Sequence, residues 1–159
     1  GQGDAGNIYI KASDRVSLNN DNNIDSTNIS SFISDKATGN GGTINIEASN
    51  ILLDNAILFT FTSGKGNAGS IFIKANDLVS LTNNSRFSTS VQSNVLGNGG
   101  NIDVQVGRLF LDNGSRFFAA TFGQGNAGNI SINAANSVFL RNAFVSSGVG
   151  KKGIGNGSN

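Results

Sequence analysis

Apolar and polar residues alternate along this chain in short runs, and the runs return at a regular interval. Each cycle opens on a glycine-rich turn followed by an alternating stretch: GDAGNIYIKA from Gly3, GNGGTINIEA from Gly39, GNAGSIFIKA from Gly66, GNGGNIDVQV from Gly97 and GNAGNISINA from Gly125. A sixth turn opens at Gly155, and the successive spacings are 36, 27, 31, 28 and 30 residues. After each turn, apolar residues stand two apart: Ile8/Ile10, Ile44/Ile46, Ile71/Ile73, Ile102/Val104 and Ile130/Ile132. A period of two predicts a half-buried strand.

A second alternating stretch follows within a few residues: Val16/Leu18, Ile51/Leu53, Val79/Leu81, Leu109/Leu111 and Val138/Leu140. Two residues past each Leu stands an Asn, at Asn20, Asn55, Asn83, Asn113 and Asn142. A third stretch is marked by Ile24, Phe59, Phe87 and Phe117, each four residues beyond that Asn, whereas the fifth repeat slips to Phe144. Repeat length varies mainly between the third stretch and the next glycine turn, which marks a loop outside a stacked core.

Three short strands per thirty residues, with turns at fixed places, predict one coil of a solenoid. The fold class expected is all-β: a right-handed parallel β-helix of about five coils, with Ile8, Ile44, Ile71, Ile102 and Ile130 in one interior column. Stacked coils pair each strand with its equivalent about 4.8 Å away. One coil could not fold alone. Its few large inward side chains contribute ~1.5–3 kcal/mol each, against ~1–2 kcal/mol of backbone entropy for every residue ordered. The Asn column is expected to point inward and form a ladder, each amide capping backbone groups at the turn and bonding to the Asn of the next coil. Asn also tolerates the left-handed backbone of a tight turn.

Composition narrows the function classes. Apolar residues make up 37% of the 159-residue chain, enough to build a core, so the abundance of Gly and Asn does not imply disorder. Net charge is +1, and Lys151 and Lys152 are the only adjacent basic pair, which leaves no clustered basic face for nucleic acid. Cys and His are absent, removing disulfides, thiolate metal sites and histidine chemistry. No apolar run approaches the ~20 residues of a membrane span. Residues 1–159 read as a single segment of a longer repeat array.

Few motifs suggest chemistry. GxGxxG occurs at Gly1/Gly3/Gly6, Gly64/Gly66/Gly69 and Gly123/Gly125/Gly128. A dinucleotide fingerprint follows a strand and opens a helix; here the motif precedes a strand, so a turn is the better reading. Calcium-binding nonapeptide repeats need an Asp in every unit, and only Asp103 follows a turn closely. Asp54 and Asp112 would lie two coils apart, about 9.6 Å, near the separation of inverting glycosidases, but with no third acid fixed nearby. Thr60, Thr62, Ser88, Thr89 and Ser90 are read as an outward hydroxyl array, and Leu52, Phe110 and Phe139 as an outward apolar stripe alternating with Ser17 and Ser80. No catalytic, cofactor-binding or metal-binding residue is assigned.

The GNAG/GNGG turn, the NIxIxA strand and the VxLxN strand together resemble the repeats of filamentous-haemagglutinin-like exoproteins, in the version found in cyanobacteria. The resemblance runs from Gly3 to about Ser147. It implies a right-handed β-helix in the secreted partner of a two-partner secretion system. It also implies export through an outer-membrane transporter and attachment to the outer surface of a Gram-negative bacterium. The function expected is a structural, non-enzymatic shaft presenting adhesive surfaces, its host, cell-surface or glycan ligand unspecified. A carbohydrate-active or carbohydrate-binding β-helix is the alternative. The secretion domain that would clinch the family lies outside these residues, and no functional residue carries over, because the matching positions are shaft positions.

Overall fold

The computed structural model describes residues 1–21, 27–151 and 153–157; the predicted strand mark at Ile24 and the basic residue Lys152 lie outside them. Among the described residues the regular structure is all strand. In chain order these are β1 (Ile8–Lys11), β2 (Arg15–Asn19), β3 (Thr27–Ile33), β4 (Ile44–Asp54), β5 (Ala56–Thr62), β6 (Ile71–Thr82), β7 (Arg86–Val91), β8 (Ile102–Asp112), β9 (Arg116–Thr121), β10 (Ile130–Arg141) and β11 (Phe144–Val149). They stack as two parallel sheets. The long sheet runs β1–β4–β6–β8–β10, with β2 also paired to β4, and the short sheet runs β3–β5–β7–β9–β11. This is a parallel β-solenoid: five strand layers, hence about four turns from first layer to last.

The expected interior column is present, with Ile8, Ile44, Ile71, Ile102 and Ile130 in register. Ile44, Ile71 and Ile102 are fully buried, while Ile8 and Ile130 pack on the core from the end layers. The two strands expected in each long segment are continuous in β4, β6, β8 and β10. Their junction is a register shift, between Ala48 and Asn50 in β4 and between Ala75 and Leu78 in β6. The shift adds one outward residue or two, so Ile51 and Leu53 return to the core side that Ile44 and Ile46 occupy. A third, narrow parallel ladder consists of single bridges beside the glycine turns, such as Thr38 to Lys65 and Leu96 to Gln124.

The third predicted strand exists, one residue out of phase in two of its layers. The inward column is Ile29, Leu58, Phe87, Phe117 and Val145; Phe59 and Phe144 lie one place to either side of it. The cause is the turn before the strand. Coil two turns on Asn55 alone, whereas coils three and four spend two left-handed residues, Asn83 with Asn84 and Asn113 with Gly114. A fixed offset from the Asn therefore points to different faces. Within the column, Phe87 and Phe117 stack at 4.8 Å with rings 5° from parallel.

Candidate functional site

The glycine turns are the most regular part of the molecule. The last glycine of each turn lies against the carbonyl of its equivalent one coil earlier: a Cβ on Gly69 would sit 2.0 Å from the Gly42 oxygen, and one on Gly100 would sit 1.8 Å from the Gly69 oxygen. Only hydrogen fits there. The second residue of each turn supplies a side-chain ladder. The N–H of Asn40 donates to Asp4 Oδ1 at 2.6 Å, Asn67 to Asn40 Oδ1 at 3.1 Å, and Asn98 to Asn67 Oδ1 at 2.8 Å. Asn126 then donates to Asn98 Oδ1 at 2.9 Å and Asn156 to Asn126 Oδ1 at 3.0 Å. At this position a side-chain oxygen stands where a sheet would use a backbone carbonyl. The sequence carried the signal as the repeated Gly–Asn or Gly–Asp pair.

The column expected to be an interior ladder lies elsewhere. Asn83, Asn113 and Asn142 are solvent-exposed, and Asn20 and Asn55 are half-buried. Asn55, Asn83, Asn113 and Asn142 have φ of 50°, 53°, 50° and 47°. These residues hold the left-handed turn at the mouth of the short sheet. A side-chain rung joins two of them, Asn113 Nδ2 donating to Asn83 Oδ1 at 2.6 Å, and Asn83 Nδ2 donates in turn to Asp54. It runs outside the core. Left-handed tolerance selects the residue type, and burial does not.

Interior polar capping comes from hydroxyls instead. Thr60, Thr62 and Thr89 were expected to face outward but are fully buried. With Leu58 inward, Thr60 and Thr62 must be inward as well. Thr60 Oγ1 donates to the Gly69 carbonyl, Thr89 Oγ1 to Gly100, Ser31 Oγ to Gly6 and Ser147 Oγ to Gly128. These bonds tie the short sheet to the glycine turns across the core. Only Ser88 and Ser90 of the expected hydroxyl array face outward, so the array forms no regular outward threonine face among the described residues. The apolar stripe does form one column, in the register Ser17, Leu52, Ser80, Phe110 and Phe139. The rings of Phe110 and Phe139 stack at 5.2 Å.

Asp54 and Asp112 stand two coils apart as expected, Asp54 in register with Thr82 and Asp112 with Arg141. Asp54 accepts from Asn83, and Asp112 pairs with Arg141 while accepting from its neighbour's backbone, Asn113 N–H, at 2.7 Å. Hydrogen bonding from the Arg141 guanidinium holds the Asp112 carboxyl below the usual carboxylate range. That is the wrong direction for a general acid, which needs its proton retained near neutral pH. Asp103 lies outward on β8, in register with Phe72. No three acidic side chains converge among the described residues. A shallow cleft crosses the outer face of the long sheet, lined by Asn45, Glu47, Phe72, Lys74, Asp103 and Gln105. Charges on this face pair along the columns: Lys11 with Glu47 at 3.3 Å and Arg108 with Asp77 at 2.8 Å.

Among the described residues no helix is long and apolar enough to cross a membrane. Comparison of the chain with protein-family models, with curated proteins and with solved structures finds no match to any of them.

Proposed function

We propose that this chain forms a length of structural shaft in a large secreted or surface-exposed adhesin-like exoprotein, carrying binding surfaces away from a bacterial cell. The observation that supports this reading is the unbroken glycine-turn ladder from Asp4 to Asn156. Each coil is laid on the previous one through the same atoms, so the unit repeats along an axis without a built-in stop. In such arrays each repeat is stabilised chiefly by its neighbours, and length can grow without enlarging the core. Export through an outer-membrane transporter, and a position on the outer surface of a Gram-negative cell, belong to the same proposal.

The test is surface labelling of the producing cells with antibodies raised against residues 1–159, with and without permeabilisation. Labelling of intact cells or recovery from the medium is the expected result. Signal confined to permeabilised cells would overturn the shaft reading. A carbohydrate-binding β-helix is the second reading. It is favoured by the mixed character of the long-sheet cleft, where the Phe72 ring is 42% exposed among amide and carboxylate groups.

A further inference from the structure

The two sheets differ in how they treat charge. The long sheet sets acid against base, coil to coil. The five strands of the short sheet contain no acidic residue at all. Yet this sheet places Arg86 and Arg116 directly opposite one another on adjacent coils. Like charges so placed are destabilising. Neither guanidinium has a carboxylate within ion-pairing distance among the described residues. Arg116 rests 5.7 Å over the Phe144 ring, and the buried Nε of Arg86 has no acceptor. Burial, with Arg116 second, lowers the Arg86 pKa from its ordinary value. The fold tolerates a pair of cations that no carboxylate among the described residues neutralises.

Beside the pair lies a notch. The next outward column reads Phe59, Ser88 and Phe118 on three successive coils. The two phenyl positions are two coil spacings apart, roughly 9.6 Å centre to centre, and the small side chain between them leaves a slot narrower than that by the thickness of a ring. Both rings are partly exposed, as is Ser88. The apolar face of a sugar ring suits such walls, its hydroxyls suit the serine floor, and a carboxylate on that ring would reach the guanidiniums at the flank. Paired guanidiniums bind a carboxylate through charge-assisted, directional hydrogen bonds. A flexible acidic peptide offers the carboxylate but no ring to fill the slot.

We propose that the notch over Ser88, walled by Phe59 and Phe118 and flanked by Arg86 and Arg116, binds the uronic-acid unit of an acidic polysaccharide. The inference shares the ligand class of the carbohydrate-binding reading but places the site on the short sheet instead of in the long-sheet cleft, and it is independent of the shaft reading, because a shaft needs no ligand. Its test is affinity electrophoresis and calorimetry of the whole chain with polygalacturonate and its short oligomers. The parent should bind. Arg86→Gln and Arg116→Gln should each weaken binding about tenfold, and the double variant should abolish it. Ser88→Phe should also abolish it while leaving both charges in place. Lys65→Gln and Lys151→Gln, which lie outside both the short sheet and the long-sheet cleft, should leave binding unchanged. Circular dichroism confirms the fold of each variant. Four results would overturn the proposal: no binding by the parent; undiminished binding by Ser88→Phe or the double Arg variant; an equal loss in the Lys variants; or equal retention on polyglutamate or on phosphatidylglycerol vesicles. Any of these would leave the surface-labelling test of the shaft unaffected.

Discussion

Replacing Gly69 by Ala isolates the steric demand of the stacked turns. Gly69 lies outside the left-handed region, so alanine introduces no backbone strain there; only space is at issue. Its Cβ would meet the Gly42 carbonyl oxygen at 2.0 Å and the carbonyl carbon at 2.7 Å, where ordinary contact begins near 3.4 Å. Both atoms are backbone of the adjacent coil, so the two coils must part at this corner by about 1.4 Å. Two backbone bonds that cross there, Gly41 N–H to Asn67 O at 2.9 Å and Ile44 N–H to Ser70 O at 3.0 Å, would be stretched out of range. At ~0.5–1.5 kcal/mol each, with a similar amount for disturbed packing, the cost should be about 3 kcal/mol. Gly6 provides the control. It occupies the same column in the first coil, and its Cβ would meet nothing within 4 Å. Gly6→Ala should therefore stay within about 0.5 kcal/mol of the parent. Urea unfolding followed by far-ultraviolet circular dichroism measures both. A neutral Gly69→Ala, or a Gly6→Ala as costly as Gly69→Ala, would refute the stacking argument.

Three other outcomes follow from the ladders. Asn83→Gly should be neutral within a few tenths of a kcal/mol and Asn83→Ala should cost about 1 kcal/mol, since φ is 53°; equal losses in urea unfolding would mean that the amide matters more than the backbone. Thr89→Val keeps the shape but orphans the Gly100 carbonyl in the core, so it should cost about 1–2 kcal/mol, and a stabilised variant would remove the hydroxyl ladder from the account. The Asp112 carboxyl, held low by Arg141, should titrate below an ordinary aspartate when followed by NMR. Because its folded pKa is depressed, the stability it adds is present above the ordinary carboxylate range and is lost as pH falls through the depressed value. Arg141→Gln should return the midpoint toward normal, and an unchanged midpoint would contradict the ion pair.

How far the sequence could be read depended on what kind of signal each residue carries. Period-two alternation is a direct consequence of strand geometry, so the isoleucine column and the parallel stacking were legible from Ile8 to Ile132. The third strand was legible as a strand but misphased, because counting from the turn Asn assumes a turn of constant length. One extra left-handed residue, Asn84 in coil three and Gly114 in coil four, moves Phe87 and Phe117 onto the face that Leu58 occupies. The Asn column misled for a related reason. An inward capping amide and an outward left-handed turn select the same residue, and spacing cannot separate them. The ladder that does run the length of the solenoid was visible in every Gly–Asn or Gly–Asp pair. Its role depends on how closely two glycine backbones approach, which a one-dimensional pattern does not contain. The Arg86–Arg116 pair was equally hidden, because its members stand thirty positions apart and oppose each other only once the coil lengths are known.

The ladder from Asp4 to Asn156 has a direction. In every rung the acceptor oxygen belongs to the earlier coil and the donating N–H to the later one. A coil therefore exposes its oxygen before its successor exists, and the successor needs only to arrive. For a polypeptide emerging N-terminus first, each layer already laid down offers this row of side-chain acceptors to the next, while its own turn N–H groups, such as that of Gly41, take their acceptors from the layer that follows. A rod of this kind can be assembled at the pace at which it is threaded out. Were the chain exported as proposed, the free energy of each docking step would fall on the outer side and bias the thread against slipping back.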